Sequence, residues 1–353
     1  MEKLKIGVIG VGNISSAHID GYRANPDCEL YAFCDINEKT LTEKGKKYGI
    51  ERLYTDHKKM LAALPELDAV SVCTWNNAHA ECTIDALNAG KHVFCEKPMA
   101  MNAAQAENMK KAAEKAGKVL GIGFVRRHGR DAELARELVK DGKTGEIYYG
   151  KATYIRRNGN PGGWFGNKSL SGGGPLIDLG VHVIDLARYI AGNPKPVSVY
   201  GATFTKLYNR IELKDSKAYV SAGYNGKNDV CDVEDLASAL IRFDNGFVLA
   251  LETSYSLNVG QDQGKVELFG TKGGIEINPD LSFHTEYEGR LADIRFPSPT
   301  AFDGSEYAKE IDNFVSAIRG KAQLVADADD GIELMRILDA IYESARTGHE
   351  VIL

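Results

Sequence analysis

The apolar, β-branched run Lys5–Ile9 stops at Gly10-Val11-Gly12-Asn13-Ile14-Ser15, after which apolar residues recur at helical spacing. A strand, a glycine turn and a helix in that order commit the chain to a crossover, and a crossover returns it to a parallel neighbouring strand. A second run, Glu29–Cys34, ends in Asp35, 20 residues beyond Ser15. This is a dinucleotide fingerprint in its required context. Gly10 suits the tight turn, Gly12 lets the backbone approach a pyrophosphate, and the helix N-terminus at Asn13 and Ile14 receives the phosphates. Ser15 replaces the third glycine of the pattern, and a small residue there still permits close helix–strand packing. Asp35 is expected to accept hydrogen bonds from the adenine ribose and to repel a 2′-phosphate. Ile36 and Asn37 follow it instead of Arg or Lys, so NAD is expected over NADP. The alternative for Asp35, a cap on the helix beginning near Asn37, does not explain its distance from the glycines.

The alternation continues with strands at Asp68–Thr74, His92–Cys95 and Val119–Gly123, and helices at Asn77–Asn88 and Asn102–Ala116. Repeated βα units imply an α/β fold with a doubly wound parallel sheet and a ligand at the carboxyl ends of its strands. Two turns at that edge carry chemistry. Thr74, Trp75, Asn76 and His79 are expected where the cofactor's second half runs, although His79 equally suits a first-turn helix position. Glu96-Lys97-Pro98 follows the next strand, and Glu96 and Lys97 are expected among the cofactor contacts. A Lys in a partly desolvated cleft, beside an ionised acid and a bound cofactor, can donate to a substrate oxygen or join a proton relay. A surface Glu-Lys pair is the competing reading.

After Gly123 the rhythm changes. A helix at Asp131–Lys140 precedes strands at Glu146–Arg156, Pro196–Leu207, Leu236–Phe243, Phe247–Tyr255, Lys265–Phe269 and Leu281–Phe296. Asp244-Asn245-Gly246 signals a hairpin, Gly273-Gly274 is expected to turn the next, and sequential hairpins imply an antiparallel sheet. Helices at Glu306–Arg319 and Gly331–Arg346 close the chain. At 353 residues the length exceeds a usual single core. Two domains are expected, 1–123 and 124–353, with the last helices packing back on the first.

Within the second domain, Gly172-Gly173-Gly174-Pro175 predicts a mobile turn and then a helix, with Asp178 and His182 at i and i+4 and Asp185 further along the same face. A carboxylate and an imidazole so placed can bind a hydroxyl and remove its proton; alternatively they satisfy each other and the loop backbone. The Gly-rich loop Arg157–Gly166 holds Asn158 and Trp164, suited to a sugar ring or a nicotinamide, or, for Trp164, to anchoring the loop. Arg126 lies at the domain junction and, like Arg156, fits either a substrate contact or an interdomain ion pair. Asn158–Lys168 and Asn209–Asp232 are polar enough for carbohydrate hydroxyls and equally for solvent.

Lys and Arg total 43 against 49 Asp and Glu, a net charge of −6 without a basic block. No nucleic-acid or anionic-membrane partner is expected. The opening apolar run is too short for a signal peptide and no run approaches ~20 apolar residues, so a cytoplasmic protein is expected. Its six cysteines are scattered and read as reduced thiols. His79 and Cys82 have ligand-like spacing without further ligands, and no metal is expected.

Taken together, Gly-x-Gly, Asp35, Glu96-Lys97-Pro98 and Gly-Gly-Gly-x-x-x-Asp-x-Gly-x-His-x-x-Asp resemble the Gfo/Idh/MocA family of glucose–fructose oxidoreductases and inositol dehydrogenases. The resemblance extends to Gly331, Tyr342-Glu343-Ser344-Ala345 and Gly348–Leu353. It implies a Rossmann domain followed by an α/β domain with a large open, mostly antiparallel sheet, whose outer face commonly forms a dimer or tetramer interface. It also implies that Lys97, Asp178 and His182 contact the reacting hydroxyl, and their retention favours an enzyme over the family's sugar-sensing or assembly relatives. The expected reaction is NAD-dependent oxidation of a secondary hydroxyl on a sugar, glycoside or polyol. In it His182 is the base, Lys97 a donor to the same oxygen, Asp178 an orienter, and Asp185 structural. A redox-neutral enzyme that keeps NAD bound, or a non-catalytic sugar sensor, remains open.

Overall fold

The computed structural model describes residues 2–207, 230–296 and 301–353. Most of the polar stretch Asn209–Asp232 therefore lies outside the described residues. Two compact units emerge: Met1–His128 with Gly304–Ile332, and Gly129–Asp303 with Glu333–Leu353. The first unit thus runs past Gly123 and takes in a distant segment of the chain.

The first unit alternates β1 (Leu4–Ile9), α1 (Ser15–Ala24), β2 (Cys28–Cys34), α2 (Glu38–Tyr48), β3 (Leu53–Tyr54), α3 (His57–Ala63), β4 (Ala69–Val72), α4 (Asn76–Asn88), β5 (His92–Glu96), α5 (Ala103–Ala116) and β6 (Leu120–Gly123). All six strands are parallel, in the order β3-β2-β1-β4-β5-β6. That order is doubly wound, with its switch point between β1 and β4. Helices on both faces leave the central strands buried throughout, as β4 is at every residue. Asn37, Asp56 and Asn102 cap α2, α3 and α5, their side-chain oxygens accepting from N-terminal amides. The helix Glu306–Ile318 joins this unit because its apolar stripe, Ile311, Phe314 and Val315, packs with Ile6, Tyr22, Ala69 and Phe94. Gly21 in α1 permits the approach: a Cβ there would stand 3.0 Å from Ile311 Cγ1.

The second unit contains α6 (Arg130–Lys140), β7 (Ile147–Ile155), α7 (Lys168–Ser171), α8 (Val181–Ile190), β8 (Pro196–Phe204), β9 (Leu236–Phe243), β10 (Val248–Ser254), β11 (Gln263–Gly270), β12 (Gly273–Ile277), β13 (Leu281–Tyr287) and β14 (Arg290–Arg295). After α9, the Glu306–Ile318 helix, come α10 (Ala328–Thr347) and β15 (Val351–Ile352). Nine strands form one sheet in the order β14-β13-β12-β11-β7-β10-β9-β8-β15. Every neighbouring pair is antiparallel except β7–β10, which is parallel. The exception departs from a purely hairpin-built sheet. It arises because α8 and the β8–β9 pair intervene between β7 and β10, giving a connection long enough to cross over.

Two further details differ from the expectation. Gly273 and Gly274 begin β12 and do not turn the hairpin; a Cβ on Gly273 would lie 2.5 Å from Phe283 Cζ, so cross-strand packing requires the glycine. The stretch Leu281–Phe296, expected to supply strand, forms two strands, folded at Glu288 (φ 49°) and Gly289 (φ 73°), the left-handed pair that a two-residue hairpin turn demands. One face of the sheet receives α8 against β7 and β11. The other shows Tyr148, Tyr200 and Leu240, each about half exposed.

Candidate active site

The glycine turn between β1 and α1 is held by backbone proximity. Gly10 has φ 84°, and a Cβ there would sit 2.7 Å from the Cys73 carbonyl and the Thr74 nitrogen, so only glycine fits. Gly12 is the opposite case: nothing lies within 4 Å of where its Cβ would be. Asn13 is exposed and Ile14 half-buried. The helix α1 begins without a side-chain cap, the arrangement that leaves an N-terminus ready for an anion. Ser15, in the third-glycine position, is buried and donates its hydroxyl to Gly12 O at 2.7 Å. Asp35 ends β2 with Oδ2 accepting from Val11 N and Oδ1 from Asn37 N, both at 2.8 Å. The acid therefore braces the turn. Beside it Ile36 is 83% exposed, and Ile36 and Asn37, not Arg or Lys, follow Asp35 in the chain. These features fit a nicotinamide dinucleotide and disfavour its phosphorylated form.

At the carboxyl edge of β4, Trp75 is exposed, Thr74 half-buried and Asn76 buried. His79 is buried, with Nδ1 2.7 Å from Pro98 O and Nε2 3.1 Å from Thr74 O. Both ring nitrogens thus face backbone carbonyls. Burial pushes its pKa down, against the pull of the two carbonyls. Glu96 is likewise engaged: Oε1 meets His18 Nε2 at 2.7 Å and Oε2 accepts from Lys97 N at 3.0 Å. Burial pushes its carboxyl up, but the His18 hydrogen bond and the charges of His18 and Lys97 outweigh this and hold it below its ordinary value. From Val93 to Ala100 every residue is buried except Lys97.

The stretch after α7 is packed, not mobile. A methyl on Gly173 would strike Tyr342 Oη, and one on Gly174 would strike the Glu234 carbonyl. Pro175 opens the helix as expected, but Leu176–Gly180 forms a π-helical turn before α8. Asp178 thus lies in a widened turn and His182 in the α-helix, so the predicted regular α-helical stacking does not hold; such turns are frequent at functional sites. From Gly173 to Arg188 only Asp178 and His182 are not buried. Asp185 is 2% exposed, in keeping with a structural role.

Three supporting residues carry no motif. Tyr255, fully buried at the end of β10, donates its hydroxyl to Asp178 Oδ2 at 3.2 Å. Burial and the Asp178 charge keep it a phenol by raising its pKa well above normal. Glu234 caps the π turn: it accepts from Gly174 N at 3.0 Å, Leu176 N at 3.1 Å and Tyr342 Oη at 2.9 Å. Thr253 Oγ1 donates to Pro175 O at 3.0 Å. Of these only Glu234 offered a sequence signal, as an acid between a valine and an aspartate just before an apolar strand.

In the loop after β7, Asn158 is half-buried and accepts from Ser256 Oγ at 3.4 Å, while Trp164 packs on Phe165 with ring centroids 4.0 Å apart. The Arg156 guanidinium donates to Gly159 O at 3.1 Å, within its own unit. Arg126 lies half-buried in the 3-10 turn Val125–His128.

Residues 4–124 match the family model described as "Oxidoreductase family, NAD-binding Rossmann fold", and residues 136–353 match "Oxidoreductase family, C-terminal alpha/beta domain", the Gfo/Idh/MocA pair. The D-glucoside 3-dehydrogenase of Escherichia coli K12 is 36% identical over 99% of this chain and 97% of its own. A levoglucosan dehydrogenase solved with NADH superposes with a TM-score of 0.86 at 26% identity, covering 99% of each chain. An aldose–aldose oxidoreductase from Caulobacter crescentus, solved with glycerol, gives 0.82 at 28% identity over 100% of both.

Proposed function

Because the chain belongs to the Gfo/Idh/MocA oxidoreductases and carries their NAD-binding Rossmann domain, we propose that it oxidises a secondary hydroxyl of a sugar, glycoside or polyol. One observation carries the residue assignment. In each of two otherwise buried stretches, the side chains that reach the surface are the ones able to handle a hydroxyl: Lys97 in one, Asp178 and His182 in the other. His182 takes the hydroxyl proton. Lys97 donates a hydrogen bond to the same oxygen as it becomes a carbonyl, and Asp178, fixed by Tyr255, orients the sugar. NAD supplies the acceptor for the hydride that leaves the same carbon. Gly10, Gly12, Asn13, Ile14 and Asp35 are the proposed adenosine and pyrophosphate contacts, with Thr74, Trp75 and Asn76 along the second half. Arg126, Asn158 and Trp164 are proposed sugar contacts.

Incubation with NAD and a panel of sugars and glycosides, followed by NMR of the product, tests this and locates the oxidised carbon. Loss of C–H hydrogen from no member of the panel would leave only a binding role. The likeness to an aldose–aldose oxidoreductase favours a second reading, in which NAD stays bound and is recycled by a second sugar. Copurifying NAD(H) without net NADH release during turnover distinguishes the two.

The proposed assembly is a homo-oligomer, dimer or tetramer, through the outer face of the nine-stranded sheet. Tyr200 pairs across the strands with Leu240, and Leu240 with Ala250, giving an apolar row on the uncovered face. Exposed apolar patches of this kind mark association surfaces. A second copy of the chain fits because a two-fold interface needs only one self-complementary patch. Leu240→Glu is expected to reduce the mass seen by light scattering to that of one chain; an unchanged multimer would place the interface elsewhere. The proposed compartment is the cytoplasm, supported by six cysteines that form no disulfide, five of them buried. No described helix is long and apolar enough to cross a membrane.

A further inference from the structure

We propose that Glu96, clamped by His18, and His79 are positioning residues for Lys97, holding the backbone at the Lys97 amide and at the Pro98 carbonyl so that the lysine side chain keeps one aim. The proposal rests on the reading of Lys97 as a donor to the reacting oxygen. A lysine side chain carries about 2 kcal/mol of rotamer entropy, so its aim depends on a backbone that does not move. On one side, the Lys97 N–H donates to Glu96 Oε2 at 3.0 Å, and Glu96 Oε1 meets His18 Nε2 at 2.7 Å. The chain continues inward: His18 Nδ1 lies 3.2 Å from Ser71 Oγ, and Ser71 Oγ lies 2.9 Å from Tyr22 Oη. All four side chains are buried. On the other side, the carbonyl of Pro98 meets His79 Nδ1 at 2.7 Å.

The Lys97–Pro98 segment is therefore tied to α1 through His18, and to the turn after β4 through His79. Both anchors adjoin proposed cofactor turns, Gly10–Ser15 and Thr74–Asn76, so the same elements that seat NAD seat the lysine. Glu310 on α9 shares the pocket, its ligand atom within 4.8 Å of those of His18 and Glu96. Burial, with the Glu96 charge beside it, pushes the Glu310 carboxyl far above its usual range. A buried group whose hydrogen bonds all go to protein is a support more than a ligand.

The test uses the full-length protein with its lysines carbon-13 methylated, the Lys97 NMR signal being identified by its loss in Lys97→Arg. Glu96→Ala is expected to move that signal and lower kcat about 10- to 100-fold while NADH affinity stays within about twofold, the cost of a misplaced reacting group. Glu96→Gln keeps an oxygen for the Lys97 amide and an amide for His18, and is expected to restore the signal and most of kcat. Should Glu96→Ala fail to fold, His18→Asn removes the clamp from its far end and is expected to move the same signal. An unmoved Lys97 signal overturns the proposal, as does a loss of NADH affinity in proportion to kcat, which would make Glu96 a cofactor ligand. The signal is read with or without turnover. Absence of any sugar oxidation by the wild type would therefore sink the functional reading, while an unmoved signal sinks this one.

Discussion

Replacing His182 by Ala is expected to lower turnover about 10²- to 10⁴-fold, the usual contribution of a positioned general base, with NADH affinity unchanged. The expectation follows from the place of the side chain. His182 lies on a helix whose other residues from Val181 to Arg188 are all buried, and between Gly173 and Arg188 it and Asp178 alone are not. Nothing about core packing asks for an imidazole there, so its removal leaves the fold's apolar contacts intact. The measurement is NADH formation with whichever sugar the panel identifies, alongside NADH titration. Equal turnover in the variant would remove His182 from proton transfer and leave Lys97 as the candidate acid–base group. A parallel fall in turnover and NADH affinity would instead mean that the helix had shifted.

The groups that face outward from the site were legible in the sequence because their residue types are out of place in buried runs. Lys97 follows a strand of Val, Phe and Cys, and His182 interrupts Val, Val and Ile. The groups that hold them were not legible. Tyr255 ends a strand and reads as core, and its bond to Asp178 joins residues 77 apart in sequence. His18 reads as one more residue of an amphipathic helix, yet it meets Glu96 across 78 positions. A single sequence shows composition and local period, whereas support of this kind depends on which distant elements share a pocket. His79 and Glu96 illustrate the converse. Each sits where a cofactor contact is expected, and what sequence does not show is that both are buried against protein, His79 against the Pro98 and Thr74 carbonyls and Glu96 against His18 and the Lys97 amide.

The fold divides along a similar line. Strands that alternate or run apolar between glycine stops were found to within a residue or two, as for Leu236–Phe243. The parallel β7–β10 pair was not, because it is set by a long connection that local pattern does not constrain. The π turn was hidden for a different reason. Its residues, Leu-Ile-Asp-Leu-Gly, have an ordinary helical pattern, and the widening accompanies bonds from outside the helix, where Glu234 takes Gly174 N and Leu176 N and Thr253 takes Pro175 O.

Alanine at Gly12 and alanine at Gly10 are expected to part company. Both sit in the turn proposed to cradle the pyrophosphate, and both substitutions should weaken NADH binding by more than about tenfold, since a methyl displaces a phosphate from backbone contact. Their effects on the empty protein differ. Gly12 has open space where its Cβ would stand, so the variant should unfold within about 0.5 kcal/mol of wild type, as an uncrowded surface change does. Gly10 has φ 84° and the backbone of Cys73 and Thr74 at 2.7 Å from that position. Neither gives way readily, since these atoms follow directly on β4, where Cys73 N donates to Ile9 O at 2.7 Å, and the cost should reach about 1–3 kcal/mol for overpacking plus about 1–2 kcal/mol for the left-handed backbone. Urea unfolding without cofactor, beside NADH fluorescence titration, separates the two. Tight NADH binding by Gly12→Ala would mean that the open space beside the turn is not where the phosphates lie, and the cofactor assignment of Asn13 and Ile14 would fall with it.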